Sequence, residues 1–379
     1  MSHELILTGA RVIDPAQSHD GVCDVAFTDG KVSGFGIGLA GGPNTIVKDL
    51  TGSIVTPGLI DLHTHVYWGG TSLGIDADNF CRTSGVTTSV DTGSAGPGNF
   101  DGFRKHVIDR SEARILAFLH ISWAGIYGFS SRMEIGEGED RRLIAPREAV
   151  EVAKRNRDVI AGIKVRLGRH ASGDHGSARL DVALDVAEEA GLPLMAHIDE
   201  APPTYEELVS RLRPGDILTH AFRPFPNAPV TVQGRLKPAV VEARERGVLF
   251  DIGHGMGSFA FRTARAMLAH GFLPDTISSD VHAFCINGPA FDQVTTMSKF
   301  LCLGMNLNEV IAASTVNAAV ALQRMDLGTL RVGSLGDATV LSVTDGFFDY
   351  YDVRGELLQG NKRIASEGVV LKGRWWHPA

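Results

Sequence analysis

Histidine and carboxylate side chains, which commonly bind metal ions, lie near the ends of several apolar, strand-like segments of this sequence, and one lysine lies among them. They are His63, His65, Lys164, His197, His220 and Asp280. A single buried histidine is ordinarily a hydrogen-bonded core residue, but four at strand ends are very costly to remove from water without a ligand. Because His63 and His65 are two positions apart, on a strand they point to the same face and can share one ion through their imidazole nitrogens. The pattern predicts a metal centre.

Lys164 is the least usual member of this set. In the segment GIKVR it lies in a run that should point into the core, and an unpaired buried ammonium group is very costly. A salt bridge to Asp280 is one way to neutralise it. The other is reaction of the amine with CO2, which gives a carbamate, an anion that can bridge two cations. The carbamate also explains why a lysine lies among metal-ligand residue types.

Asp280 has two possible chemical roles. A carboxylate beside a metal-bound hydroxide can act as a metal ligand and, as a general base, can accept the proton of the attacking water. The alternative is a structural role as the N-cap of a helix after the eighth strand, because Asp is a favoured capping residue.

Three other residues are predicted to contact a substrate. Arg166 lies on the same strand face as Lys164 and can bind a carboxylate through two hydrogen bonds, although an ion pair at the rim explains it equally well. Tyr67, and Gly255 in the loop GHGMGSF at 253–259, are placed to shape an apolar pocket. Aromatic packing at the rim explains Tyr67 as readily.

Apolar, β-rich segments alternate with amphipathic stretches such as APREAVEVAKRNRD. The eight segments are 59–65, 86–93, 113–122, 159–166, 193–199, 216–222, 248–255 and 275–282. This alternation predicts the α/β class and a TIM-type (β/α)8 barrel, whose strand ends meet at one mouth. The rival is a doubly wound open sheet. Its first strand would normally be followed by a glycine-rich phosphate-binding turn, and none follows 59–65.

Short alternating strands also occur at both ends of the chain, separated by Gly, Asp and Pro turn signals. They include ELILTGARVI near the start, and ATVLSV and KRIASEGVVLKGRWW near the end. A chain of 379 residues suits one large domain and a smaller unit. We therefore expect residues 1–57 plus 329–379 to form a small β-sandwich and residues 58–328 to form the barrel.

Composition and charge exclude several classes of partner. A net charge of −8 and a pI near 6.0 give no reason to expect nucleic acid, so a small molecule is the expected partner. The start has no signal-peptide pattern and no run of 18 apolar residues occurs, which predicts a cytoplasmic protein without membrane contact. Without a CxxC pair, the cysteines are expected to be reduced core residues: Cys23, Cys81, Cys285 and Cys302.

The sequence resembles the amidohydrolase superfamily over nearly its whole length, from GSIVTPGLIDLHTH to the terminal β segments. The segments AGIKVR, MAHI, LTHAF, DIGHGMGSF and SSD are similar to the dihydroorotase-like amidohydrolase/deacetylase group. The resemblance implies that His63, His65 and Asp280 bind one metal ion and that His197 and His220 bind a second. It also implies that Lys164, carboxylated by CO2, bridges both ions together with a hydroxide.

The activity that this resemblance implies is hydrolysis by a binuclear, metal-dependent enzyme. We expect a deacetylase that cleaves the acyl amide or ester bond of a small N-acyl amino acid or acylated hydroxy acid through the metal-bridging hydroxide. The alternative is a cyclic amidase of the dihydroorotase or hydantoinase type. Dihydroorotases usually have an arginine two residues after the HxH pair, where this chain has Tyr67. A non-catalytic scaffold is disfavoured because every ligand is present.

Two properties of the enzyme are less constrained by the sequence. Nitrogen and oxygen ligands accept several first-row ions, and Zn²⁺ is expected from its availability. The oligomeric state is left open, homo-oligomers being the common case for such enzymes.

Overall fold

The computed structural model describes residues 3–130 and 132–376. The chain begins with seven short strands: β1 (Leu5–Thr8), β2 (Arg11–Asp14), β3 (His19–Val22), β4 (Asp24–Thr28), β5 (Lys31–Gly36), β6 (Ile46–Asp49) and β7 (Ile54–Pro57).

Strands and helices then alternate through the middle of the chain. The strands are β8 (Leu59–Thr64), β9 (Val86–Thr92), β10 (Arg114–His120), β11 (Ile160–Leu167), β12 (Leu194–Ile198), β13 (Ile217–Leu218) and β14 (Leu249–Phe250). The helices are α1 (Ala77–Ser84), α2 (Phe100–His106), α3 (Pro146–Arg155), α4 (Arg169–Ser172), α5 (Gly176–Ala190), α6 (Tyr205–Arg211), α7 (Pro238–Glu245), α8 (Phe261–Ala269), α9 (Gln293–Cys302), α10 (Leu307–Ala313) and α11 (Val316–Ala321). The last strands are β15 (Ala338–Tyr351), β16 (Leu357–Leu371) and β17 (Arg374–Trp375).

The central sheet is parallel, and its seven strands lie in sequence order from β8 to β14. The predicted eighth strand, 275–282, is not a regular strand. It forms two isolated parallel bridges, one between Thr276 and Asp251 beside β14 and one between Val281 and Thr64 of β8. The segment therefore contacts both edges of the sheet, as the closing element of a barrel does.

Backbone conformation explains why the later strands are shorter than the sequence predicts. Strand β13 was expected over 216–222, but His220 has φ +63°. The strand expected over 248–255 ends before Gly253, at φ +47°, and Asp280 in the closing segment has φ +49°. Left-handed residues cannot continue an extended strand, so regular pairing stops where the polar side chains begin.

The helices cover the sheet through apolar stripes, as α5 illustrates. Leu180, Ala183, Ala187 and Ala190 recur at three- and four-residue spacing and are fully buried. The helix ends at Ala190, and its C-cap, Gly191, takes the left-handed conformation that favours glycine. None of the helices in the described ranges is long and apolar enough to cross a membrane. All four cysteines are free, and only Cys302 is partly exposed.

Strands from both ends of the chain share one sheet. This six-stranded sheet has the order β17-β16-β15-β7-β2-β3, with β15 antiparallel to β7, and a second sheet has the order β5-β4-β1-β6. One cluster of buried apolar residues has members in both sheets, among them Leu7, Val25, Val55, Val340 and Val370. Apolar packing therefore ties the two sheets to one another.

The long hairpin of β15 and β16 reaches the barrel. At its tip, the backbone N–H of Val353 donates to the carbonyl of Phe259 at 3.3 Å. The Asp352 carboxylate accepts from the N–H of Phe261 at 2.9 Å. These two bonds fix the tip beside the loop that follows β14.

Candidate active site

A cavity of about 380 Å³ opens at the carboxyl ends of the parallel strands. All six predicted metal ligands line it, and so does Arg166: His63, His65, Lys164, Arg166, His197, His220 and Asp280. The structure therefore brings together side chains that are separated by up to 217 residues of sequence, from position 63 to position 280. This is the face on which active sites of such barrels are built.

His63, His65 and Asp280 form the tightest group of possible ligands in the cavity, with ligand atoms within 4.8 Å of one another. The Nε2 atoms of His63 and His65 lie 3.3 Å and 3.2 Å from Oδ1 of Asp280. Two ligands held at about 2.0–2.1 Å by a tetrahedral zinc ion are about 3.3 Å apart. The spacing therefore fits a single ion between these three atoms.

Hydrogen bonds on the far side of each ring orient this pair of histidines. Nδ1 of His63 lies 2.8 Å from Oγ1 of Thr219, which donates to Asp251 at 2.7 Å. Since the Thr219 hydroxyl gives its proton to the carboxylate, it accepts from His63. His63 therefore carries its proton on Nδ1 and presents the Nε2 lone pair to the cavity.

His65 is oriented in a similar way. Its Nδ1 lies 2.9 Å from Oγ of Ser94, and the backbone N–H of Ser94 donates to the buried Asp91 carboxylate at 2.9 Å. In both cases a hydroxyl contacts Nδ1 of the imidazole, and a buried carboxylate holds the residue that carries this hydroxyl. Such outer contacts fix the tautomer and ring orientation of metal-binding histidines.

His197 and His220 form a second pair, with ring centroids 4.5 Å apart. Nδ1 of His220 lies 2.7 Å from the carbonyl of Gly253, so its Nε2 is free to bind a ligand. Nε2 of His197 is buried and has no hydrogen-bond partner in the described part of the chain. A buried nitrogen without a partner is rare and calls for an explanation, which a bound ion would provide.

Lys164 is buried among these ligands and is poorly compensated. Its Nζ contacts Sδ of Met195 at 3.5 Å, and within residues 3–130 and 132–376 no carboxylate lies within 4.0 Å of it. The salt bridge to Asp280 considered above is therefore not formed. Burial lowers the pKa of Lys164 to about 7, which leaves a large fraction of neutral, nucleophilic amine near neutral pH.

Burial also decides the charge of the other groups. It lowers the pKa of His65 to about 4 and the pKa values of His63, His197 and His220 well below the usual value. It raises the pKa of Asp280 to about 6. The imidazoles are therefore neutral at pH 7, which is the form that binds metal ions.

The backbone around Asp280 is held by several contacts. Its N–H donates to the carbonyl of His63 at 2.7 Å, and the preceding Ser279 donates its N–H and hydroxyl to the buried Asp61 at 2.9 Å and 2.5 Å. Gly255 packs directly on the carboxylate, since a Cβ there would lie 2.2 Å from Oδ2. Asp280 is a non-glycine residue with φ +49°, and such a conformation persists where surrounding contacts enforce it, as these contacts do.

The predicted substrate contacts have different surroundings. Arg166 lines the cavity, but its guanidinium binds both oxygens of the buried Glu137 at 3.1 Å and 3.3 Å. The ring of Tyr67 packs on Phe103 with centroids 4.6 Å apart. Neither Tyr67 nor Gly255 is among the described residues that line the cavity. Their positions thus give no support to a direct contact with substrate.

Several lining residues were missed by the sequence reasoning. His282 follows Asp280 by two positions and Arg223 follows His220 by three, so proximity to a predicted ligand was the signal that could have found them. Arg354 lies at the hairpin tip and also lines the cavity. No local pattern marks it, because it reaches the barrel from the terminal sheet.

The parallel sheet in sequence order and the cluster of possible metal ligands at its strand ends suit a metal-dependent barrel hydrolase, and comparison with known proteins gives the family. The model of the amidohydrolase family matches residues 54–220. The chain is 34% identical to a deacetylase of Agrobacterium fabrum over 87% of this chain and 80% of that protein. It is 32% identical to a deacetylase of Brucella anthropi over 97% and 91%. The chain belongs to the amidohydrolase family.

Solved structures agree with this assignment. A crystal structure of a dihydroorotase has a TM-score of 0.89 and 31% identity, and the match covers 98% of both chains. A crystal structure of an adenine deaminase has a TM-score of 0.92 and 26% identity, with full coverage of both chains. The whole described chain therefore has the architecture of these relatives.

Proposed function

We propose that the protein is a metal-dependent deacetylase that hydrolyses the acyl amide or ester bond of a small N-acyl amino acid or acylated hydroxy acid. The observation that carries this function is the convergence of neutral imidazole Nε2 atoms and the Asp280 carboxylate in one cavity at the strand ends. The two deacetylase relatives, each similar over most of its length, support the choice of reaction.

The donor atoms fit two divalent ions, and we propose Zn²⁺ for both. His63, His65 and Asp280 would hold one, as their 3.2–3.3 Å spacing suggests. His197 and His220 would hold the other, and a carbamate on Lys164 would bridge the two. The unpaired Nε2 of His197 and the uncompensated amine of Lys164 support this arrangement.

The reaction needs an activated water and a proton carrier. Bound ions would supply polarisation of the acyl carbonyl and a lowered pKa of the water. Asp280 is the carboxylate that lies against both His63 and His65, so we assign it as the group that takes the water's proton and returns it to the leaving amine or alkoxide. The cavity walls orient the substrate for this attack.

Opening of a cyclic amide is the second candidate. The similarity to a dihydroorotase structure over the whole chain favours it. However, Tyr67 occupies the position at which dihydroorotases usually have an arginine, and its ring packs on Phe103 outside the cavity lining. We therefore rank the cyclic amidase below the deacetylase.

Several finer features stay predictions. We propose that residues 58–328 form a closed (β/α)8 barrel and that residues 1–57 plus 329–379 form one β-sandwich, of which residues 1–2, 131 and 377–379 lie outside the described ranges. The apolar cluster shared between the terminal sheets supports the β-sandwich. A cytoplasmic location and assembly as a homo-oligomer are proposals from the sequence alone.

Acetate release tests the proposed function directly. The zinc-loaded protein is assayed with N-acetyl-D- and N-acetyl-L-amino acids and with acetylated 2-hydroxy acids, and with dihydroorotate and hydantoin in parallel. We expect stereoselective release of acetate, because a chiral cavity positions one enantiomer better. Ring opening without acetate release would replace the deacetylase by the cyclic amidase.

A further inference from the structure

Arg223 carries a buried guanidinium group. Only 6% of the residue is exposed, and within the described residues its side chain makes one hydrogen bond, from Nη1 to the carbonyl of Ile198. Its Nε is buried and has no partner, and no carboxylate lies within 4.0 Å of the side chain in the part of the chain that the structure describes. A buried charge is normally paired, so this guanidinium is incomplete without an anion.

The position of Arg223 places that anion beside the candidate metal ligands. Its backbone N–H donates to the carbonyl of His220 at 3.1 Å, and Ile198 directly follows His197. Arg223 lines the same cavity as both histidines. An anionic group of the substrate that is bound by Arg223 would therefore lie close to the bond that is cleaved.

Arg354 adds a second positive charge from the hairpin tip. It is exposed, lines the cavity, and is anchored by a hydrogen bond from Nη2 to the carbonyl of Phe225 at 3.0 Å. Burial lowers the pKa of Arg223, and the charge of Arg354 acts in the same direction, while Asp199 and Glu200 act against it. An anion between the two arginines would relieve their repulsion.

Arg166, the other arginine of the cavity, has its charge already balanced. Both oxygens of the buried Glu137 accept from Nη1 of Arg166, at 3.1 Å and 3.3 Å. A substrate carboxylate would have to compete with Glu137 there, whereas at Arg223 it would meet no carboxylate within 4.0 Å among the described residues.

We infer that Arg223 is the specificity-determining residue that binds the substrate carboxylate, with Arg354 attracting that carboxylate from the cavity entrance. The enzyme would thus select acyl compounds that carry a free carboxylate next to the acylated nitrogen or oxygen. This inference rests on the proposed deacetylase function and assigns the residue that recognises the carboxylate of its substrates.

The test compares an acid with its neutral carboxamide. Wild-type kcat/KM for N-acetylalanine, in its better enantiomer, should exceed that for N-acetylalaninamide by on the order of 100-fold, since the site's buried donors are left unpaired by the wrong group. In Arg223→Met that ratio should fall to near 1. Arg223→Lys should recover part of it, because the charge returns without the planar pair of donors.

Controls separate substrate selection from folding. Arg262→Met removes an exposed arginine whose Nη2 also donates to one backbone carbonyl, that of Val232, and should leave the ratio unchanged. Arg354→Met should raise KM for the acid by roughly 3- to 10-fold, because the solvent-exposed charge of Arg354 is a weaker contact for the carboxylate than the buried Arg223. A wild-type enzyme that cleaves acid and carboxamide equally well would overturn the inference, as would an Arg223→Met variant that loses both activities in equal proportion.

A binding measurement keeps this inference distinct from the proposed function. If the wild-type protein cleaves neither compound nor p-nitrophenyl acetate, the deacetylase function fails. Calorimetry with lactate and lactamide then tests the carboxylate site alone. Binding of lactate that is lost in Arg223→Met and absent for lactamide supports the site, and equal binding of both ligands, or of neither, overturns it.

Discussion

Two lysines with the same degree of burial, each 1% exposed, show what is unusual about Lys164. Nζ of Lys299 contacts Nε2 of His254 at 2.7 Å and donates to the carbonyls of Pro289 at 2.8 Å and Tyr351 at 2.9 Å. Within the described residues, the side-chain partner of the Lys164 amine is the thioether of Met195. Burial lowers the pKa of both amines to about 7, but of the two lysines Lys164 has no oxygen or nitrogen partner among the residues that the structure describes. Chemical modification is therefore expected at Lys164 and not at Lys299.

Replacement of Lys164 tests the carbamate. Lys164→Ala should lower kcat by on the order of 100-fold or more and lower the bound metal, because the bridging anion is lost. Protein prepared in ¹³C-bicarbonate should show a carbamate carbon resonance in the wild type and none in Lys164→Ala. Added acetate or propionate should restore part of the activity of the variant. Full activity of Lys164→Ala without such an acid would exclude the bridge.

At the scale of elements, the loops after the strands position the candidate catalytic side chains, and Gly255 shows how little space is left around Asp280. It has φ +54°, and an added Cβ would lie 2.2 Å from Oδ2 of Asp280. Gly255→Ala should therefore displace the carboxylate and lower kcat by about 10- to 100-fold, since a shift near 1 Å has effects of this size. Steady-state kinetics at saturating metal measure this.

Gly271→Ala is the matched control for that variant. Gly271 has φ +69°, and its added Cβ meets nothing within 4 Å. Both variants carry backbone strain of about 1–2 kcal/mol, but only Gly255→Ala disturbs Asp280. Equal kcat values for the two variants would show that Gly255 serves the backbone alone.

The same elements show how far the sequence could be read. Alternation of apolar runs located the strands through β12 with small errors at their ends, because those strands are regular. It overestimated β13, β14 and the closing segment, where His220, Gly253 and Asp280 leave extended geometry. A positive φ at His or Asp depends on tertiary contacts, so local pattern does not reveal it.

At the scale of the whole molecule, the candidate site depends on contacts between distant segments. Arg354 enters the cavity from the terminal hairpin, and the unpaired state of Arg223 is visible only once the surrounding loops are in place. The convergence of the six predicted ligands on one cavity could be predicted from the sequence because each lies at or near the end of a strand-like run. The places of Arg223 and Arg354 in that cavity could not, because exposure and pairing are properties of the folded chain.

The ligands also join parts of the barrel that few backbone bonds connect. His63 and His65 lie at the end of β8, and His197 lies in β12. Asp280 lies on the closing segment. In the described chain this segment pairs with β8 only through the bridge between Thr64 and Val281. Bound ions would cross-link these elements and satisfy buried groups that otherwise lack partners. An ion present at about 1,000 times its Kd stabilises the folded state by about 4 kcal/mol.

Removal of metal should therefore lower stability as well as activity. With an unfolding entropy of about 2.1 cal/mol/K per residue, a loss of about 4 kcal/mol lowers Tm by about 5 °C in a chain of 379 residues. Calorimetric scans with and without chelator measure the shift. His63→Ala should show a smaller shift of Tm on chelation because one ligand is gone. His106→Ala, at an exposed position in the last turn of α2, should show the same shift as the wild type. If elemental analysis shows bound metal and chelation leaves Tm unchanged, the ions are held elsewhere than between β8 and the closing segment.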